Sequence, residues 1–171
     1  MIRNLNEHGR LVEKSDPIRG ASIRMGEFAV AAEGGELRTL LGSCIGLALY
    51  DRRRRIGGLA HIVLPQSRSQ ADRPGKFADT AIPALIRRMQ EMAEGRLRLN
   101  AKLAGGASMF DTTVAASIGL QNIEACRRLL VEQRIPVVAE HCGGSQGRRM
   151  TLTTADGAVS IEIVGQSPIF I

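Results

Sequence analysis

Apolar and polar positions alternate with a period of two along most of this chain and switch to a helical period in only two places. Gly26 to Ala32 alternates weakly and stops at Glu33-Gly34-Gly35-Glu36, after which Leu37 to Leu41 forms a second short run; together they predict strand, turn, strand. Ile45 to Tyr50 and Ile56 to Leu64 are apolar runs on either side of the charged cluster Asp51 to Arg55, the pattern of a β-hairpin. From Phe77 to Met92 the positions Ala78, Ala81, Ile82, Leu85, Ile86, Met89 and Met92 follow helical spacing. Asp79 or Thr80 is placed to cap that helix, Pro83 is tolerable only in its first turn, and Gly95 can end it. Leu99 to Ala104 predicts a strand. Ser117 to Arg134 predicts a second helix, with Ile118, Ile123, Cys126, Leu129 and Leu130 on one face, so Cys126 reads as core. Ile135 to Glu140 predicts a strand with Pro136 at its start, and Met150–Thr154 with Ala158–Val164 a hairpin across Asp156-Gly157. These elements amount to a single layered α/β domain over residues 25–171, with a mixed, largely antiparallel sheet and two main helices. Residues 1–24 carry mixed charge with little periodicity and are interrupted by Pro17, which predicts a flexible N-terminal arm; His8 has no evident role there.

Composition narrows the classes. At 171 residues the chain supports a full core, and with 3% aromatics and no tryptophan that core is aliphatic. The same scarcity leaves no platform for stacking bases, which argues against a nucleic-acid partner. The net charge of +6 points to acidic partners or plain solubility. Most arginines fall in dispersed pairs (Arg87-Arg88, Arg127-Arg128, Arg148-Arg149) that read as solvated faces; the Arg52–Arg55 turn, at one end of the hairpin, is the exception. An odd count of three cysteines, no signal-peptide pattern at Met1–Asn4 and no apolar run approaching about 18 residues imply a reduced, cytoplasmic protein without membrane insertion.

Chemistry concentrates at Leu41-Gly42-Ser43-Cys44 and at His61, which pair a candidate nucleophile with a candidate base. With the hairpin turn centred between Arg52 and Arg53, Cys44 falls directly opposite His61, Cβ atoms about 4.5–5.5 Å apart. An imidazole at that spacing can take a thiol proton. A bulge at Gly57-Gly58 would instead put the two on opposite faces. The tight turn at Gly42 and Ser43 leaves backbone N–H groups near the sulfur that can bind an oxyanion. The plain alternative is that Cys44 is a small buried hydrophobe. Gly105-Gly106-Ala107-Ser108 follows a strand but lacks the ending of a phosphate-binding loop, and reads as a tight turn bringing backbone close to the site. Gln66 to Lys76 is a polar loop of the kind that forms lids or rims. His141 and Cys142, with Cys44 and His61, make a rival zinc set, but no ligand spacing supports it and neighbours on a strand face opposite ways. No metal and no cofactor is expected.

Leu41–Cys44, Gly58-Leu-Ala-His61-Ile-Val-Leu-Pro65, Lys76–Ala81, Lys102 to Phe110 with its Gly-Gly-Ala-Ser-Met-Phe, Ile118–Glu124 and Gly143-Gly144 with Arg148 run in an order that resembles the CheD family of chemoreceptor glutamine deamidases, over about residues 25–165. The resemblance implies a CheD-like fold and a Cys-His hydrolase that converts glutamines of methyl-accepting chemotaxis receptors to glutamates in sensory adaptation. It implies Cys44 as nucleophile and His61 as base. The family's third site residue is a threonine; Thr39, five positions before Cys44 where six is expected, meets it with a one-residue shift. Gly42, Ser43, Gly105, Gly106 and Ser108 fall in the substrate and oxyanion neighbourhood. His141-Cys142 stands where an acidic residue is expected. A CheC-type phosphatase is a partner of some members, so a docking module with little catalysis is the rival function.

Overall fold

Residues 20–32, 34–67, 73–93, 95–108 and 113–171 are described by the computed structural model, residues 113–117 for their backbone alone. The expected arm up to residue 19, with His8, and part of the 66–76 loop lie outside the described residues, as do Met109 and Phe110.

Ten strands, two helices and one 3-10 turn follow in the order β1 (Ala21–Ser22), β2 (Phe28–Ala32), β3 (Glu36–Leu41), β4 (Ile45–Asp51), β5 (Ile56–Ile62), the turn Pro74–Lys76, α1 (Ala78–Met92), β6 (Leu99–Gly105), α2 (Thr113–Glu132), β7 (Val137–Cys142), β8 (Arg148–Thr153), β9 (Val159–Glu162) and β10 (Ile169–Phe170). The α/β class with two main helices and largely antiparallel pairing is as the sequence predicts, and the strands divide between two five-stranded sheets. One has the order β1-β3-β8-β9-β10, the other β2-β5-β4-β6-β7. Among the described strands, β1 with β3 and β6 with β7 pair in parallel and the other pairs are antiparallel.

Alternation along the strands of the second sheet decides the layering. Ile45, Leu47 and Leu49 of β4 and Ala60 and Ile62 of β5 pack with Ile82, Leu85, Met89, Cys126 and Leu130 of the helices. The opposite face of the same sheet packs on the first sheet through Cys44, Ala48, Leu59 and Ala104 against Leu37, Leu41, Met150, Leu152 and Ile161. The molecule is therefore three layers deep, helices, sheet and sheet. Small residues let the sheets approach. A Cβ at Gly46 would meet Met150 Sδ at 2.6 Å and Leu41 Cδ1 at 2.8 Å, and one at Gly57 would meet Thr154 Cγ2 at 2.8 Å.

Several local expectations are corrected. Residues 20–24, placed in the arm from the sequence, include an edge strand on β3 and a buried Ile23. The cap of α1 is Phe77 with no side-chain bond. Asp79 instead accepts the Ser67 N–H at 3.1 Å, and the Thr80 hydroxyl donates to the Pro74 carbonyl at 2.6 Å. Pro83 lies past the first turn, where it leaves the Asp79 carbonyl without its helical donor. Arg148, read as surface, is buried at 3% exposure, because β8 turns Arg148, Met150 and Leu152 inward and Arg149 outward. The other arginine pairs do lie on the surface, where Arg88, Arg127, Arg128 and Arg149 each meet a glutamate.

The β4–β5 turn also differs. Asp51 pairs with Ile56, so all four residues Arg52–Arg55 form the connection and its centre moves to between Arg53 and Arg54. The buried Asp51 carboxylate sets this length by accepting the N–H of Arg54 at 3.0 Å and of Arg98 at 2.8 Å, with the Arg54 guanidinium at 3.2 Å. Burial works to raise the Asp51 pKa, but those N–H groups and that charge hold it below the usual carboxylate value. Asp51→Ala is expected to destabilise the fold by about 3 kcal/mol in urea denaturation, since it strands two N–H donors in the interior. A loss under about 1 kcal/mol would show that the turn does not depend on this carboxylate.

Candidate active site

The corrected turn moves Cys44 and His61 relative to each other by one diagonal step. His61 lies directly opposite Gly46, so Cys44 is its diagonal neighbour instead of its cross-strand partner. Both ends of the turn shift equally, so the two side chains stay on one face, the face between the sheets. No bulge interrupts the β4–β5 register.

Thr39 reaches the same place from the other sheet. Its Oγ1 lies 2.7 Å from His61 Nδ1 and 2.8 Å from the carbonyl oxygen of Ile23. A carbonyl only accepts, so the single hydroxyl proton goes to Ile23 and Thr39 must accept from His61. The imidazole is thereby held with its proton on Nδ1 and a lone pair on Nε2. That Nε2 is buried and has no hydrogen-bond partner among the described residues, Cys44 Sγ included.

Electrostatics leaves the pair neutral at rest. Burial pushes the Cys44 thiol above its ordinary range. Burial also holds His61 below its usual pKa, against smaller opposing effects of the Ile23 backbone and the Glu27 carboxylate. Neither shift favours a standing thiolate–imidazolium pair. The arrangement suits a neutral imidazole that takes the thiol proton as the sulfur attacks.

The chain passes from one sheet to the other at Gly42-Ser43-Cys44, and all three carbonyls there are held. Gly42 O accepts from the Ala107 N–H at 2.9 Å and Cys44 O from the Gly106 N–H at 2.9 Å. Ser43 O accepts from Asn122 Nδ2 at 3.2 Å. Gly105 and Gly106 make this approach possible, with φ of 105° and 67°, and a Cβ on Gly105 would lie 2.1 Å from the Cys44 carbonyl oxygen. The expected tight turn thus lies directly against the Cys44 segment. Its N–H groups are engaged, as is that of Ser108, which donates to Gly144 O at 2.8 Å. Among the described residues neither the Ser43 nor the Cys44 N–H donates a hydrogen bond, which leaves both available to an acceptor beside the sulfur.

His141 and Cys142 separate as strand neighbours do. Cys142 packs toward the helices, where burial pushes its thiol up to about 11, and Cys126 is buried there with its own at about 12. His141 lies in the same cross-strand row as His61, beyond Gly46 and Ala104. Its Nδ1 accepts from Arg148 at 2.8 Å, and burial together with that guanidinium charge holds His141 below its usual pKa. Arg148 also donates to the carbonyls of His141, Gly143 and Gln146, fixing the loop that carries Gly144. Cys44 and Cys142 therefore face different layers, and the four residues of the zinc set do not converge.

Two contributors escaped the sequence pattern. Arg148 was masked by its neighbour Arg149, although strand parity with Met150 and Leu152 marked it as inward. Asn122 sits one turn after Ile118 and one before Cys126, a polar residue on the apolar face of α2.

A family model described as CheD chemotactic sensory transduction matches residues 63–163. A Clostridium botulinum (Alaska E43) protein named "Probable chemoreceptor glutamine deamidase CheD" is 46% identical over 151 residues, 84% of this chain and 92% of the relative. A Methanococcus maripaludis (S2) protein of the same name is 43% identical over 141 residues, 81% of this chain and 92% of the relative. One from Clostridium acetobutylicum is 39% identical over 160 residues, 90% of this chain and 96% of the relative.

In a pH series of iodoacetamide alkylation with peptide mapping, Cys44 is expected to label slowly at neutral pH and to accelerate only above about pH 8.5. Half-maximal labelling already below about pH 7.5 would contradict a neutral resting pair.

Proposed function

The chain belongs to the CheD family of chemotactic sensory transduction proteins, and on that premise we propose that it is a protein-glutamine deamidase that converts glutamines of chemotaxis receptors to glutamates, with Cys44 as nucleophile and His61 as base. The observation that carries this is the hydrogen bond from His61 Nδ1 to Thr39, which leaves an unprotonated Nε2 on the face it shares with Cys44. A module that only docks on receptors or on a CheC-type phosphatase would have no use for a histidine held in one tautomer by a buried threonine.

The steps follow from the groups present. The Cys44 sulfur attacks the carboxamide carbon as His61 Nε2 takes the thiol proton, and the carbonyl oxygen becomes an oxyanion facing the Ser43 and Cys44 N–H groups. As the tetrahedral intermediate collapses, His61 gives its proton to the departing nitrogen and ammonia leaves. A thioester remains on Cys44. Water then attacks that carbon, with His61 taking its proton, and the C–S bond breaks. The proton returns to sulfur, and the glutamine has become glutamate.

The directions of the pKa shifts set the pH dependence. The base must be unprotonated, and His61 lies below its usual value, so the acid limb of kcat/KM is expected below about pH 6.5. With receptor cytoplasmic fragments as substrate and mass spectrometry as readout, Cys44→Ala is expected to abolish conversion and His61→Ala to lower kcat by about 10²- to 10⁴-fold. Thr39→Val, which removes the acceptor of the Nδ1 proton, is expected to cost at least about tenfold in kcat while Thr39→Ser retains activity. Conversion by Cys44→Ala at the unmodified rate would overturn the proposal.

A further inference from the structure

Asn122 is fully buried in α2, between the two segments that carry the proposed nucleophile and base. Its two amide protons go to backbone carbonyls, Ser43 O at 3.2 Å and Val63 O at 2.9 Å. Ser43 precedes Cys44, and Val63 is two residues past His61. One amide group therefore spans the turn that ends at Cys44 and the strand end that follows His61. Its Oδ1 is buried and has no hydrogen-bond partner among the described residues. Leaving such an acceptor unpaired costs about 1–3 kcal/mol, so packing and stability alone do not account for an asparagine at this position.

What the amide does is decided by peptide geometry. The Ser43–Cys44 peptide is trans, so the Ser43 carbonyl and the Cys44 N–H point in opposite directions across one planar unit. Holding that carbonyl toward α2 turns the Cys44 N–H away from α2. The Gly42 and Cys44 carbonyls on either side are held by the Ala107 and Gly106 N–H groups, whereas the Ser43 carbonyl is held by the Asn122 side chain. We propose that Asn122 is a positioning residue for deamidation, fixing the Ser43–Cys44 peptide plane so that the Cys44 N–H meets the oxyanion, and tying that plane to the strand end beyond His61. This rests on the deamidase assignment of Cys44 and His61. Asn122 touches neither the sulfur nor the imidazole and acts through the backbone.

The test uses two reactions of the same sulfur. Alkylation of Cys44 by iodoacetamide is a displacement with no oxyanion, whereas attack on a carboxamide requires one. In Asn122→Ala, the alkylation rate and its pH profile are expected to stay within about threefold of the unmodified protein, and KM likewise, while kcat for deamidation falls about 30-fold or more. Unchanged kcat would overturn the proposal. So would equal losses of alkylation and deamidation, which assign Asn122 to general packing. Should Asn122→Ala fail to fold, Asn122→Ser, which keeps one donor, takes its place in the same pair of assays. If neither variant folds, Asn122 is a stability residue and the proposal fails. Cys44→Ala run alongside separates the two claims: full deamidation there sinks the deamidase assignment, whereas an inactive Cys44→Ala beside a fully active Asn122→Ala sinks only the role of Asn122.

Discussion

A hydrogen bond of 2.7 Å between threonine and histidine joins the two sheets, and the proposed chemistry of the site depends on it. Thr39 can accept from His61 because its own proton is taken by the carbonyl of Ile23, next to the short edge strand β1. Three segments far apart in sequence therefore determine one imidazole tautomer. The bond also requires the sheets to lie close together. Gly46, Ala48, Gly57 and Ala104 supply that closeness, and the space opposite His61 that a larger residue at 46 would occupy is filled by Met150 and Leu41. The small residues of the central strands and the orientation of the base are thus two results of one packing arrangement.

Burial that secures the tautomer also shapes reactivity. It raises the pKa of the Cys44 thiol and lowers that of His61, which favours the uncharged form of both. In the proposed reaction proton transfer accompanies attack, and the developing negative charge moves from sulfur to an oxygen facing backbone N–H groups. A standing thiolate would react with any electrophile that reached it; a neutral thiol beside a neutral base reacts where an oxyanion can be held.

Much of this was legible along the chain, and the remainder was non-local. Periods of two and 3.6 located eight of the ten described strands and both helices, missing the two-residue strands β1 and β10, and the parity of the β4–β5 hairpin put Cys44 and His61 on one face. Their diagonal offset was not legible, because the turn length is set by the Asp51 carboxylate, which also binds the N–H of Arg98, far along the chain. Alternation marks an inward face without saying which sheet a strand joins, so the division into two sheets, and with it the contact of Thr39 with His61, had no signature. Thr39 came into view only through the family resemblance, and at a shifted position. Arg148 and Asn122 carried weak signals, a charge in phase with apolar neighbours on a strand and an amide on the apolar face of a helix; Asn122 holds the Ser43 carbonyl and Arg148 the carbonyls of His141, Gly143 and Gln146.

The central claim is that Cys44 carries the acyl group of a receptor glutamine as a thioester. Hydroxylamine competes with water for a thioester, so deamidation of a receptor fragment in its presence is predicted to yield the hydroxamate at the same glutamine, in a proportion that rises with hydroxylamine concentration and vanishes in Cys44→Ser. Glutamate as the sole product at every hydroxylamine concentration, or hydroxamate formed equally by Cys44→Ser, would contradict it.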